Sequence, residues 1–367
     1  MIPVTKPQLP PLEEFNEYLI KIWDKQWLTN NGPLHQELEE ELCKYLGVKY
    51  ISLFANGTMA LITAIQALNL SGEVITTPYS FVATTHSLWW NNIKPVFVDI
   101  EPTYLNIDPN KIEAAITPKT TGILPVHVYG NPCEVDKIEK IAETYGLKVL
   151  YDAAHAFGTK INNNSILNFG DLSILSFHAT KVYSTIEGGA IISHTKKEKD
   201  RIDKLKNFGF EDEITVLSPG INAKLNEIQA AYGLLQLKYV DQMIKNRENI
   251  DLLYRKNLAD IKGIHLLPSK NNVSKPYSYF PILIDKSEYG KTRDELYEIF
   301  KSKEIFCRRY FYPLISNFPT YKGLESSSIS NLSIANKIAN EVLCLPMFSE
   351  LELREVEKIT QIIKEYS

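Results

Sequence analysis

The sequence predicts an α/β protein: a mostly parallel sheet of the seven-stranded type between helices, followed by a smaller C-terminal α+β domain. Two observations carry this. Between about residues 48 and 195, short apolar runs alternate with helical patterns, the rhythm of parallel strands joined by crossover helices. Beyond it, Lys224 to Leu258 keeps leucines and tyrosines at helical spacing, a stretch long enough to link two domains. Residues 1–245 are therefore read as a large domain with an N-terminal arm, and residues 246–367 as a small C-terminal domain.

The elements follow in order. The Pro-rich first dozen residues, MIPVTKPQLPPL, read as an extended arm. Strand candidates lie at Lys49 to Phe54, Val74 to Thr77, Pro95 to Ile100, Gly122 to Val128, Lys148 to Tyr151, Leu172 to Phe177 and Gly188 to Ile192. Apolar runs this short suit strands covered on both faces. Helical composition marks Thr58 to Leu68 and Val135 to Tyr145. The C-terminal part offers a strand at Tyr277 to Ile284 and helices at Thr292 to Lys301 and Leu351 to Tyr366.

Composition narrows the function classes. With 367 residues, 44% of them hydrophobic, the chain can bury a sizeable core. Forty basic against 44 acidic side chains leave a net charge of -4, so no bulk field draws it to nucleic acid or anionic membrane. The start lacks a signal-peptide pattern and no run spans a bilayer, which points to the cytoplasm. Cys43, Cys133, Cys307 and Cys344 lack metal-ligand spacing and read as packing residues.

Three constellations carry chemistry. In SLFANGTMALITAIQALNL, Asn56-Gly57-Thr58 joins a strand to an almost wholly apolar helix, and a helix N-terminus with glycine is an anion cradle. A plain helix cap is the alternative there. In KVLYDAAHAFG, a buried strand ends in Asp152, with His155 three residues on; a carboxylate there needs a cation or donors. In SFHATKVYSTIEGGA, Lys181 sits on a short connection at strand ends, preceded by Ser176. An anion cradle, a buried acid and an amine together are what pyridoxal 5'-phosphate requires, for its phosphate, its ring nitrogen and its aldehyde respectively.

The order of these motifs, with WLTNNGP (27 to 33), PYSFVATTHS (78 to 87), VHVYGNPCEVDKIEKIA (126 to 142), GINAKLNEIQAA (220 to 231), RRYFYPL (308 to 314) and LCLPMF (343 to 348), resembles the DegT and StrS family of sugar-nucleotide aminotransferases. The resemblance implies the aspartate aminotransferase type of fold, PLP-dependent fold type I. It implies Lys181 as the catalytic lysine that links to the cofactor, Asp152 as partner of the ring nitrogen, and His155 beside the ring hydroxyl. It implies Phe81 stacked on the ring, and Gly57, Thr58 and Ser176 on the phosphate. Asn222 matches an asparagine that reaches the phosphate in a neighbouring subunit, which implies a homodimer with shared sites. Relatives with histidine in place of the lysine are dehydratases, so Lys181 favours transamination.

The form SFHATK followed by EGGA resembles family members that aminate a 4-keto-6-deoxyhexose. The similarity implies L-glutamate as donor and dTDP-4-dehydro-6-deoxy-D-glucose as acceptor, for O-antigen or other surface glycan synthesis. Tyr183, Lys224, Arg309 and Tyr310 are the substrate-contact candidates, with Arg308 beside them. Competing readings are an aminotransferase for a 3-keto sugar and a non-catalytic PLP-binding regulator.

Overall fold

The computed structural model describes residues 1–366. Two helices, α1 (Leu12–Lys25) and α2 (Pro33–Leu46), precede β1 (Tyr50–Phe54) and α3 (Gly57–Ala67). The alternation continues through β2 (Glu73–Thr76), α4 (Ala83–Trp90), β3 (Lys94–Phe97), β4 (Thr120–Leu124), α5 (Val135–Tyr145) and β5 (Lys148–Asp152). A short hairpin, β6 (Lys160–Ile161) and β7 (Asn164–Ser165), leads to β8 (Leu172–Ser176), β9 (Gly189–Ser193) and α6 (Lys196–Leu205). The long helix α7 (Glu227–Leu258) then enters the C-terminal part: β10 (Ile264–Leu266), β11 (Val273–Ser274), β12 (Phe280–Ile284), α8 (Lys286–Tyr289), α9 (Arg293–Ser302), α10 (Ser333–Glu341), β13 (Val342–Leu345) and α11 (Leu353–Glu365).

The large sheet has seven strands in the order β1-β9-β8-β5-β4-β2-β3. Only β9 runs against its neighbours, β1 and β8, so the sheet is mostly parallel, as expected. Side chains alternate between two cores, as the two-residue period of a strand requires. Val149 and Tyr151 face one core with α2, α5 and the first half of α7, while Leu150, Leu172 and Ile174 face the other with α3 and α4. Asp152 and Ser176 share the parity of Leu150 and Ile174. The alternation that buries the strands therefore delivers both polar ends beneath α3.

The second sheet, β10-β12-β13, is antiparallel and packs with α9 and α11. Helix α7 joins the cores: Ala230, Leu234 and Val240 belong to the first, Ile250, Tyr254 and Leu258 to the second. It begins at Glu227 rather than Lys224 because Asn226 caps it, its side chain accepting from the Gln229 amide at 2.9 Å. The N-terminal arm touches both parts: Ile2 pairs with Ile305 and the Met347 amide donates to the Val4 carbonyl at 2.9 Å, while Gln236 Nε2 in the first half of α7 donates to the Gln8 carbonyl at 2.6 Å. The strand expected over Pro95 to Ile100 stops at Phe97. Beyond it, buried Asp99 accepts from the amides of Ile334 (3.0 Å) and Ala335 (2.8 Å), fixing the start of α10. All four cysteines are free, and Cys133, Cys307 and Cys344 are buried packing residues. Among the described residues no helix is long and apolar enough to cross a membrane.

One close approach sets the mouth of the site. A Cβ on Gly189, opposite Phe54 in the β1–β9 pair, would lie 2.6 Å from the Asn56 carbonyl carbon and 2.7 Å from the Gly57 nitrogen. Both are backbone atoms that cannot swing aside. Gly189→Ala is expected to cost about 1–3 kcal/mol as an overpacking change, read as a lower denaturant midpoint; an unchanged midpoint would show that the β1–α3 turn yields freely.

Candidate active site

A cavity of about 290 Å³ opens at the carboxyl ends of β5 and β8, where an open α/β sheet places its ligands. Asp152 and Ser176 reach it from the strand ends, and Gly57 and Thr58 from the first turn of α3. Phe81, His155, Lys181 and Tyr310 also line it. Eight of the twelve site residues expected from sequence thus meet in one place.

Asp152 is buried, and its neighbours are donors rather than a bonded cation. Its Oδ2 accepts from Thr84 Oγ1 at 2.7 Å and its Oδ1 from the Ala154 amide at 3.1 Å. Burial pushes its pKa up, against those two hydrogen bonds and the more distant charge of Lys181. The sequence called for a positive partner, and within the chain Lys181 meets that need only at long range.

Lys181 stands on the loop between β8 and β9. The Phe177 amide donates to the Gly188 carbonyl at 2.8 Å, the Thr185 amide to the Phe177 carbonyl at 2.9 Å, and the Lys181 amide to the His178 carbonyl at 2.8 Å. Buried Val182 and Tyr183 anchor the loop from below. The lysine is partly accessible through the cavity, yet enough protein surrounds Nζ that burial pulls its pKa down to about 8, only partly opposed by Asp152 and Tyr310. Nζ donates to Tyr279 Oη at 3.3 Å.

The anion cradle has a cap of its own. Asn56 Oδ1 accepts from the Met59 amide at 2.9 Å, so Asn56, not Thr58, caps α3, and the Gly57 and Thr58 amides stay free of that cap at the cavity wall. A Cβ on Gly57 would come within 3.1 Å of Ser176 Cβ, so glycine is what lets these two walls meet. His155 is stacked on Phe311 at 5.9 Å with planes 7° apart. Burial, with Lys181 nearby, drives its pKa well down and keeps the ring neutral, and its Nδ1 is buried without a protein partner. Phe81 is 59% exposed at the cavity wall.

Four expectations are corrected or relocated. Tyr183 is 0% exposed, stacked on Phe157 at 4.5 Å and set edge-on to Phe177, so it is a core residue and does not line the cavity. Arg309 pairs with Asp294 at 2.8 Å and lies over Tyr297, because an acid and two aromatic rings outside the cavity hold its guanidinium. Lys224 donates to Asn207 Oδ1 at 2.7 Å and sits over Phe208, away from the cavity of its own chain. Asn222 is exposed on the same segment, its backbone paired with Asn207. Conversely, Thr84, Tyr279 and Phe311 line the cavity without having been singled out. Thr84 lies inside the quoted PYSFVATTHS motif, whereas nothing in SYFPILI marks Tyr279 apart from a strand residue.

Residues 12–364 match the profile described as the DegT/DnrJ/EryC1/StrS aminotransferase family. The chain is 56% identical over 363 residues to the dTDP-4-amino-4,6-dideoxy-D-glucose transaminase of Escherichia coli, covering 99% of this chain and 98% of that protein. It is 55% identical to the protein of the same name from Shigella dysenteriae, with the same coverage. The crystal structure of DesI in the presence of its TDP-sugar product superposes with a TM-score of 0.95 at 32% identity, over 99% of this chain and 92% of that one. The chain belongs to the DegT/DnrJ/EryC1/StrS aminotransferase family.

Proposed function

We propose that this aminotransferase moves an amino group from L-glutamate to C4 of dTDP-4-dehydro-6-deoxy-D-glucose, giving dTDP-4-amino-4,6-dideoxy-D-glucose for O-antigen or another surface glycan. The observation that carries it is the convergence of Lys181, Asp152 and the α3 cradle on one cavity, in a chain 56% identical to a transaminase named for that product.

The residues fit pyridoxal 5'-phosphate. Asp152 is a desolvated acid lacking a bonded cation, the Gly57 and Thr58 amides and Ser176 form an anion-accepting wall, and buried His155 Nδ1 has no partner. When bound, the cofactor supplies an electron sink for the charge left as a proton departs from the amine-bearing carbon. Asp152 would hold the ring nitrogen in its charged form, and Phe81 would cover the ring face. Gly57, Thr58 and Ser176 would take the phosphate, with His155 beside the ring hydroxyl. Lys181 would hold the cofactor, and its free Nζ would take the proton from the donor's carbon and return one to the sugar carbon. An amine with a pKa near 8 is a usable base and acid near neutrality, which an ordinary lysine is not. Tyr310, on the cavity wall, would meet a sugar hydroxyl.

Asn222 and Lys224, outside the cavity of their own chain, are assigned to the cavity of a second copy in a homodimer. Exposed Phe208, Ile214, Val216 and Leu217 on the same segment support that assignment, since a projecting apolar loop favours a covering surface.

Two measurements test this reading. Absorption of the PLP-loaded protein should change on adding L-glutamate and return on adding the keto-sugar, with a 4-amino sugar identified by mass and by the position of the new amine; Lys181→Ala should lose at least a thousandfold in rate. Equal rates for the two proteins would remove Lys181 from the mechanism, and a 3-amino product would reassign the carbon. The second test concerns stability. Between about pH 8 and the ordinary lysine value of 10.5, the unfolded chain keeps a proton that the folded chain has released, so raising the pH through that window favours the fold. Without cofactor, Lys181→Met should therefore be more stable than wild type at pH 7, with the gap in urea midpoint closing as pH approaches 10. A gap that does not change with pH would contradict the buried-amine assignment.

A further inference from the structure

We propose that Tyr279 is a positioning residue for Lys181: its hydroxyl anchors one N–H of the free amine, so that the Nζ lone pair stays aimed into the cavity. The inference rests on the reading of Lys181 as the residue that moves the proton.

Tyr279 enters the site from the other half of the molecule, one residue before β12. Its hydroxyl is the hydrogen-bond acceptor for Lys181 Nζ, at 3.3 Å. Its ring is held on three sides: edge-on to His155 at 4.9 Å, perpendicular to Tyr310 at 5.7 Å, and tilted against Tyr129 at 5.6 Å. The preceding residue is tied down as well, Ser278 Oγ donating to the His155 carbonyl at 3.3 Å. Behind Tyr310, the hydroxyls of Tyr79 and Tyr129 gather on its carbonyl oxygen. The acceptor is thus fixed by packing, while the lysine that donates to it is a flexible four-carbon stem.

A neutral amine has two N–H donors and one lone pair. Anchoring one donor on a rigid acceptor restricts where the lone pair points, and proton transfer depends steeply on that geometry. Without the anchor the stem samples other rotamers and spends less time aligned. The same hydroxyl accepts a stronger, charge-assisted bond when the amine is protonated, which favours the ammonium slightly against the cost of burial. The other titratable groups facing Nζ are Asp152, His155 and Tyr310, with His178 and Glu187 at the cavity mouth. Tyr279→Phe alters none of these and keeps the ring contacts.

The test uses full-length Tyr279→Phe. Before cofactor is added, competitive acetylation of Lys181 with acetic anhydride as a function of pH, read by peptide mass spectrometry, gives the midpoint at which the amine becomes reactive. The midpoint should fall below that of wild type by on the order of half a pH unit. In the loaded enzyme, kcat should fall on the order of tenfold with KM for both substrates within about twofold, and the acidic limb of the kcat profile should move the same way. Unchanged midpoint and kcat would overturn the proposal and leave Tyr279 as packing. Activity retained by Lys181→Ala would instead overturn the role of Lys181, with the acetylation midpoint still deciding whether Tyr279 holds that amine.

Discussion

The site depends on one electrostatic constraint: a carboxylate and an amine buried in the same cavity and not bonded to each other. Asp152 is satisfied by Thr84 and the Ala154 amide, and Lys181 by Tyr279. Each group is displaced from its ordinary pKa by burial, the acid upward and the amine downward. A direct ion pair would have quenched both. Keeping them apart leaves an acid without a bonded cation and an amine without a bonded acid, as the proposed function requires.

Two periodicities deliver these groups. The strand period of two puts Asp152 and Ser176 on the face covered by α3, while the same strands send Tyr151 and Leu175 into the opposite core. The parallel run of β5 and β8 brings their carboxyl ends to one edge, with Asp152 in register with Ile174. The one antiparallel strand, β9, returns directly beside β8, so the intervening loop must double back over the strand ends. That reversal is what seats Lys181 above the cavity. Tyr279 closes the arrangement from the C-terminal half, so the amine is oriented by a residue that α7 and the second sheet carry into place.

Much of this was legible in the sequence because it follows from local patterns. The apolar runs marked all seven strands, and ANGT, YDAAH and HATK each stand at a strand end, where a polar residue requires a reason. Strand ends were less legible, since Pro125 and Asp99 stop runs that remain apolar beyond them. The partners of individual side chains on distant segments were not legible. Tyr183 and Tyr310 look alike in sequence, yet one is buried between Phe157 and Phe177 and the other lines the cavity. Arg309 offered a cation for a ligand, and Asp294, fifteen residues earlier, takes it. Tyr279 had no mark because its partner is 98 residues away.

The most direct test of the central claim is the affinity of the full-length protein for pyridoxal 5'-phosphate, measured by titration, in wild type and in Asp152→Asn. The substitution keeps the shape and the contact to Thr84 but removes the charge. If the desolvated carboxylate is held for a cationic ring nitrogen, affinity should fall by on the order of a hundredfold, as loss of a buried charge-assisted hydrogen bond implies. Equal affinity would contradict the account, since the buried charge of Asp152 would then have no role in holding the cofactor.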